Sequence, residues 1–163
     1  AAPMSAIFWI YNLENGNWLL FFLFLVTCLN DIGAFLIGSH VGRRPLWPSI
    51  SPKKTVEGSI GGLLCGVVGV FLVGWIVKAG AQSDFFFWAP ATTGLYLKAL
   101  ILAIVLSVIG QLGDLSESML KRDVGIKDSG GSLTGHGGML DMADSLLFTV
   151  PFTYLYAKTV LML

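Results

Sequence analysis

Four long apolar stretches alternate with three polar or aromatic connectors along the chain. The apolar stretches cover residues 18–38, 59–78, 96–113 and 145–163, and the connectors cover residues 39–58, 79–95 and 114–144. A helix that crosses a bilayer needs about 20 mainly apolar residues, so each stretch is predicted to span a membrane. The pattern therefore predicts an all-α polytopic membrane protein with about four transmembrane helices, in a single domain over residues 1–163.

The composition supports this class and argues against several others. Hydrophobic residues make up 55% of the chain and charged residues 12%, and the mean hydropathy is +0.76. Ten Lys and Arg balance ten Asp and Glu, which argues against a nucleic-acid partner and against an acidic disordered tail. Cys28 and Cys65 lie in apolar runs without metal-ligand spacing, so both are expected to be buried free thiols.

The cations predict how the chain is oriented in the membrane. Seven of the ten lie in the first and third connectors: Arg43, Arg44, Lys53, Lys54, Lys121, Arg122 and Lys127. Because cytoplasmic connectors are enriched in Lys and Arg, both connectors are predicted to face the cytoplasm. The expected location is the inner (cytoplasmic) membrane of the cell, with any site in these connectors open to the cytoplasm.

A ridge of glycines runs along the second apolar stretch. Gly58, Gly62 and Gly66 recur at every fourth residue and share one helix face. Such ridges let two helix backbones approach closely, because no side chains separate them. The ridge predicts close packing against another helix of this chain, and a homodimer through the same ridge is the alternative.

Acidic residues stand where the helices meet the cytoplasmic connectors. Asp31 lies seven residues before the end of the first stretch, where an ionised side chain needs a polar partner, water or a metal. An interfacial aspartate at a helix end is the alternative reading. One face of the third helix and its continuation carries a polar stripe, formed by Gln111, Asp114, Glu117, Ser118 and Lys121. A solvated helix extension predicts the same stripe.

Two further carboxylates, Asp141 and Asp144, stand at the start of the fourth stretch. Helix capping alone accounts for them. Their coincidence with Asp31 and Asp114 on the basic, cytoplasmic side favours metal-assisted phosphate chemistry, in which carboxylates hold Mg²⁺ and cations contact phosphate oxygens. The glycine-rich run at residues 130–138 is not a Walker loop. It either lets backbone amides approach a phosphate or serves as a flexible connector.

Three segments carry a family resemblance. Residues 118–144 contain Ser-Met-Leu-Lys-Arg, then Lys-Asp-Ser-Gly, then Gly-His-Gly-Gly-Met-Leu-Asp-Met-Ala-Asp. Residues 30–34 read Asn-Asp-Ile-Gly-Ala, and residues 51–58 read Ser-Pro-Lys-Lys-Thr-Val-Glu-Gly. In this order the segments resemble the phosphatidate cytidylyltransferases, also called CDP-diacylglycerol synthases. The resemblance implies that the chain corresponds to the C-terminal part of a longer, helical family architecture.

The resemblance also implies a function in phospholipid biosynthesis. Members of the family are CTP-dependent nucleotidyltransferases that convert CTP and phosphatidate into CDP-diacylglycerol and pyrophosphate, with one or two Mg²⁺ ions as cofactor. By resemblance, Asp114 and Asp141 would hold the metals, with Asp31 and Asp144 as supporting acids. The same comparison assigns catalysis to Asp114, Asp141, Asp144 and Lys121. The residues expected to bind the nucleotide and the phosphate groups of the substrates are Lys53, Lys54, Ser118, Lys121, Arg122, Lys127, Asp128 and His136.

Two positions depart from the family's pattern, and two other functions stay open. Thr134 stands where the family usually has Pro, and Met142 where it usually has Arg, which removes a cation between two carboxylates. One alternative is a CTP-dependent transferase that acts on a polyprenol or another lipid acceptor. The other is a non-catalytic, ion-translocating membrane protein in which Asp31, Asp114 and Asp141 form a cation path.

Overall fold

The structure, a computed structural model, describes residues 2–81, 93–123 and 144–162. Within these ranges the chain forms five α-helices, a two-stranded sheet and a π-helical segment. In chain order the elements are α1 (Ala2–Tyr11), α2 (Gly16–Val41), β1 (Pro45–Trp47), β2 (Ser51–Thr55), α3 (Val56–Ala81), α4 (Thr93–Asp123), α5 (Asp144–Tyr156) and the π-helical segment Ala157–Leu161. This content confirms the all-α, polytopic class.

Three helices in the described ranges are long and apolar enough to cross a membrane. They are Gly16–Val41, Val56–Val73 and Tyr96–Asp123, and they overlap the first three predicted spans. The fourth stretch is helical too, but α5 has 13 residues and continues into five residues of π-helix. The number of four spans therefore stays a prediction.

Local chemistry determines where α2 and α3 begin. Asn15, just before α2, has a φ of 58°, a left-handed conformation that asparagine adopts more readily than most residues. A Cβ at Gly16 would lie 2.0 Å from the carbonyl oxygen of Ile10, so α1 turns into α2 with no room for a side chain. At α3, the hydroxyl of Thr55 accepts the N–H of Gly58 at 3.1 Å, which caps the helix.

The glycine ridge of α3 packs against α2 within the chain, as predicted. A Cβ at Gly62 would lie 2.6 Å from the carbonyl oxygen of Asn30, and one at Gly58 would lie 2.8 Å from that of Ala34. Helix backbones meet this closely only where side chains are absent. The homodimer through this ridge stays a prediction.

The helices divide into a buried side and an exposed apolar side. Buried apolar residues such as Phe22, Leu23 and Leu102 form the core. On α3 the exposed apolar side chains recur at every fourth residue: Ile60, Leu64, Val68 and Leu72. This face suits lipid contact, because lipid tails are as apolar as these side chains.

The thiols differ from the expectation of burial. Cys28 is exposed on α2, and Cys65 is half-buried on α3. The expectation is wrong for Cys28, because every transmembrane helix at the edge of a bundle presents part of its apolar surface to the bilayer.

The first connector folds as a β-hairpin, which was not part of the predicted architecture. Its antiparallel strands pair Pro45 with Thr55 and Trp47 with Ser51. At the base of the hairpin, Glu57 accepts the backbone N–H groups of two residues just before β1, at 3.1 and 3.2 Å. The hairpin places Lys53 and Lys54 beside the last turns of α2 and beside Asp114 of α4.

Candidate active site

A cavity of about 610 Å³ opens between the C-terminal half of α2, the first turn of α3, the middle of α4 and the β-hairpin, and Ser145 of α5 also lines it. Its charged lining residues are Asp31, Lys53, Lys54 and Asp114. Four of the predicted site residues, from a helix, a strand and a second helix, therefore meet in one space. Part of the wall is apolar and is formed by Ala34, Phe35, Leu46 and Leu115.

An ion pair crosses the cavity. Nζ of Lys54, on β2, contacts the carboxylate Oδ2 of Asp114, on α4, and the two side chains are 28% and 39% exposed. Asp31, on α2, is exposed towards the cavity, where it is repelled by Asp114 and attracted by Lys54. The polar surroundings expected for Asp31 are thus present.

A hydrogen-bond network joins three helices at the cavity wall. Nε2 of Gln111, on α4, donates to Oδ1 of Asn30 at 2.9 Å and to the carbonyl oxygen of Ser59 at 3.0 Å. The hydroxyl of Ser59, on α3, donates back to Oε1 of Gln111. Asn30 is 1% exposed, and its Nδ2 donates to Oδ1 of Asp31 at 3.4 Å. All four residues line the cavity.

No sequence pattern assigns a role to this network. In the sequence, Asn30 belongs to a family motif, Gln111 belongs to the polar stripe of α4, and Ser59 is part of an apolar stretch but of no motif. The available signal was chemical, since amides and hydroxyls inside apolar helices usually bond to a neighbouring helix.

The rest of the polar stripe on α4 lies beyond the cavity. Glu117 and Lys121 form an ion pair of 3.0 Å, with side chains 9% and 16% exposed. Nε of Arg122 donates to the carbonyl oxygen of Ile50, in the turn of the hairpin, at 3.4 Å. Ser118 is half-buried. In the described part of the chain, Ser118, Lys121 and Arg122 do not line the cavity, and their assigned roles stay predictions.

Four predicted site residues lie outside the described residues, and a fifth, Asp144, begins α5, the helix whose second residue, Ser145, lines the cavity. The four are Lys127, Asp128, His136 and Asp141. The roles that the family resemblance gives to these five residues stay predictions.

The donor atoms of the cavity fit Mg²⁺ better than a soft metal. Among the described residues there is no group of three or more His, Cys, Asp or Glu that could hold a metal ion alone. The cavity does contain the carboxylates of Asp31 and Asp114. Proteins usually bind Mg²⁺ through one or two carboxylates, with water and substrate phosphates as the remaining ligands, so two carboxylates are enough for such a site.

These features define a class: a helical membrane protein with a charged and partly apolar cavity between its helices and the β-hairpin. The match to known proteins is more specific. The chain belongs to the cytidylyltransferase family, whose model matches residues 1–160.

The chain is similar to several curated phosphatidate cytidylyltransferases. It is 44% identical to the protein of Staphylococcus saprophyticus over 138 residues, which are 85% of this chain and 48% of the relative. It is 44% identical to the protein of Bacillus subtilis over 146 residues, 89% of this chain and 49% of the relative. It is 41% identical to a Staphylococcus aureus protein over 145 residues, 89% of this chain and 51% of the relative. The chain spans about half the length of the curated relatives it matches.

Proposed function

We propose that this chain forms the catalytic region of a phosphatidate cytidylyltransferase, which transfers the cytidylyl group of CTP to phosphatidate. The observation that carries the proposal is the convergence of Asp31, Lys54 and Asp114 on one cavity. The names of the relatives support phosphatidate as the acceptor, in preference to another lipid or to a non-catalytic ion path. These relatives align with 85–89% of this chain.

In this reaction a phosphate oxygen of phosphatidate attacks the α-phosphorus of CTP. A new P–O bond forms, the bond from the α-phosphorus to the bridging oxygen breaks, and pyrophosphate leaves with the electron pair. The reaction needs no nucleophilic side chain, so the protein contributes mainly by positioning the substrates and offsetting their charge. The cavity therefore has to bring two anionic substrates together.

The charged residues of the cavity have complementary roles in that task. Lys53 and Lys54 line the same cavity as the carboxylates and would bind phosphate oxygens through charge-assisted hydrogen bonds. Asp31 and Asp114 would hold Mg²⁺, in one or two ions. When bound, the metal would offset charge on the phosphates and on the departing pyrophosphate.

The apolar wall of the cavity suits a lipid substrate. Phe35 lines the cavity and is also 73% exposed on α2, so the wall is continuous with the lipid-facing side of that helix. A lipid whose phosphate reaches Lys53 would keep its acyl chains against Phe35 and Leu46. A soluble nucleotide would enter from the aqueous side of the same cavity.

The site is proposed to face the cytoplasm from the cell membrane. Arg43 and Arg44 lie at the base of the hairpin, and Lys53 and Lys54 lie on β2. Lys121 lies in the last turns of α4. Positive residues accumulate in cytoplasmic connectors. This orientation would give the cavity access to cytoplasmic CTP.

The test is CTP-dependent formation of CDP-diacylglycerol by the purified protein in liposomes that contain phosphatidate, with and without Mg²⁺. Asp31→Asn and Asp114→Asn should each reduce turnover to background while the protein stays folded. Glu14→Gln is the control, because Glu14 is an exposed carboxylate in the turn between α1 and α2. Undiminished turnover in Asp114→Asn would contradict the assigned site. Turnover with a polyprenyl phosphate but not with phosphatidate would support the other acceptor, and cation flux without CTP binding would support an ion path.

A further inference from the structure

The buried amide of Asn30 connects the cavity to α4. Its Oδ1 accepts a hydrogen bond from Gln111 at 2.9 Å, and its Nδ2 donates to the carboxylate of Asp31 at 3.4 Å. Asn30 is 1% exposed, so bulk water does not compete for either end of the amide. An amide that turned over would present its oxygen to Asp31 and repel it.

The direction of this amide follows from a backbone group on α3. The carbonyl oxygen of Ser59 can only accept a hydrogen bond, so the Nε2 end of Gln111, 3.0 Å away, must face it. The second hydrogen of Nε2 then goes to Asn30, which must present its oxygen to Gln111. Nδ2 of Asn30 is left to donate to Asp31. One backbone carbonyl thus fixes the orientation of two amides and, through them, of the carboxylate.

We infer that Asn30 and Gln111 are positioning residues, which hold the Asp31 carboxylate in its place in the cavity. This inference rests on the proposed function, in which Asp31 helps to bind the metal. Asp31 needs such a partner because Asp114 repels it. Removal of a group that hydrogen-bonds to a metal-binding carboxylate typically lowers metal affinity or activity about 10- to 100-fold.

The glycines of α3 leave the space in which this amide lies. A Cβ at Gly62 would come within 3.1 Å of Oδ1 of Asn30, and a Cβ at Gly66 within 3.4 Å of its Cβ. Asn30 is therefore confined between α3 and α4, and its side chain has little freedom to turn away from Gln111. A confined amide holds the carboxylate more firmly than a mobile one.

The test measures Mn²⁺ affinity of the purified protein, because Mn²⁺ is a spectroscopic substitute for Mg²⁺ and its binding can be followed without turnover. Gln111→Met removes both donated hydrogen bonds and keeps the length of the side chain. We expect it to raise the Kd for Mn²⁺ at least about tenfold and to lower turnover with CTP and phosphatidate. Asn30→Ser replaces the amide with a shorter side chain that no longer reaches Asp31, and it should have a similar effect. It provides a second variant in case Gln111→Met does not fold.

Two controls separate positioning from a general loss of stability. Thr27→Val on α2 and Thr153→Val on α5 each remove a buried hydroxyl that bonds to a carbonyl oxygen of its own helix. Neither threonine lines the cavity, so both variants should keep the wild-type Mn²⁺ affinity.

Three results would overturn the inference. Mn²⁺ affinity in Gln111→Met or in Asn30→Ser within twofold of wild type would show that the amides do not position Asp31. A similar loss in Thr27→Val and Thr153→Val would show that packing alone matters. Turnover of CTP by a wild-type protein that does not bind Mn²⁺ would exclude the metal-binding role of Asp31. A different result, Mn²⁺ binding without turnover of CTP, would contradict the proposed function, and the measured affinities would still support the positioning role.

Discussion

Adding one methyl group to the glycine ridge should separate α2 from α3. In Gly62→Ala, the new Cβ would lie 2.6 Å from the backbone oxygen of Asn30, whereas ordinary contact begins at 3.4 Å. The obstacle is a backbone atom, so the two helices have to move apart by about 0.8 Å. Overpacking of this kind costs up to about 3 kcal/mol, and the better helix propensity of alanine returns about 1 kcal/mol. The expected loss of stability is therefore about 2 kcal/mol.

Gly69→Ala is a matched control on the same helix. Its Cβ would lie 2.5 Å from Cδ1 of Leu29, which is the end of a flexible side chain and can rotate away. The overpacking cost should then be close to the gain in propensity, with a net change of about zero. Unfolding of the purified protein in mixed micelles, with SDS as denaturant, gives both free energies. Equal stability of Gly62→Ala and Gly69→Ala would refute the reasoning.

Three further substitutions test the residues around the cavity. Lys54→Met removes the partner of Asp114 from the cavity and, with it, the cation proposed to bind phosphate, so turnover of CTP should fall about tenfold or more. Lys54→Arg should restore part of the turnover, and turnover at the wild-type level in the methionine variant would exclude a role for this cation. Thr55→Ala removes the cap of α3 and should lower the free energy of unfolding in SDS by about 1 kcal/mol, whereas Thr55→Ser keeps the hydroxyl and should not. Equal stability of the two variants would mean that the cap contributes nothing. Glu57→Gln weakens the acceptor of two backbone N–H groups before the hairpin, and hydrogen exchange of those amides should become faster, while unchanged exchange would show that another group holds them.

The helices could be predicted because their signal is long and local. A run of about 20 apolar residues is sufficient to predict a span, and α2, α3 and α4 all include the predicted stretches. Helix α1 has ten residues, too few to stand out by length. The β-hairpin contains Pro45, Pro48 and Pro52 in a short polar connector. These prolines argue against a helix but do not by themselves indicate which strands pair.

The sequence indicates individual residues of the candidate site but not how they are arranged. Ionised groups near apolar stretches are unusual, and this made Asp31 and Asp114 visible in the sequence. Their shared cavity with Lys54 depends on how three elements pack. The bond between Asn30 and Gln111 joins positions 81 residues apart. No local pattern predicts such a contact, because the sequence around each amide would be the same if that amide bonded to another partner.

Helix packing and site geometry are coupled at one point of this molecule. The carbonyl group of Asn30 limits how closely Gly62 can approach, and the next residue along α2 is Asp31. A displacement of α2 at this point moves the carboxylate as well as the helix, so Gly62→Ala should reduce CTP turnover even at temperatures where the protein is fully folded. Gly69→Ala should not, because the residue it meets is Leu29, outside the cavity lining of the described residues. Equal turnover in the two variants, measured where both are folded, would mean that the position of Asp31 does not depend on the ridge.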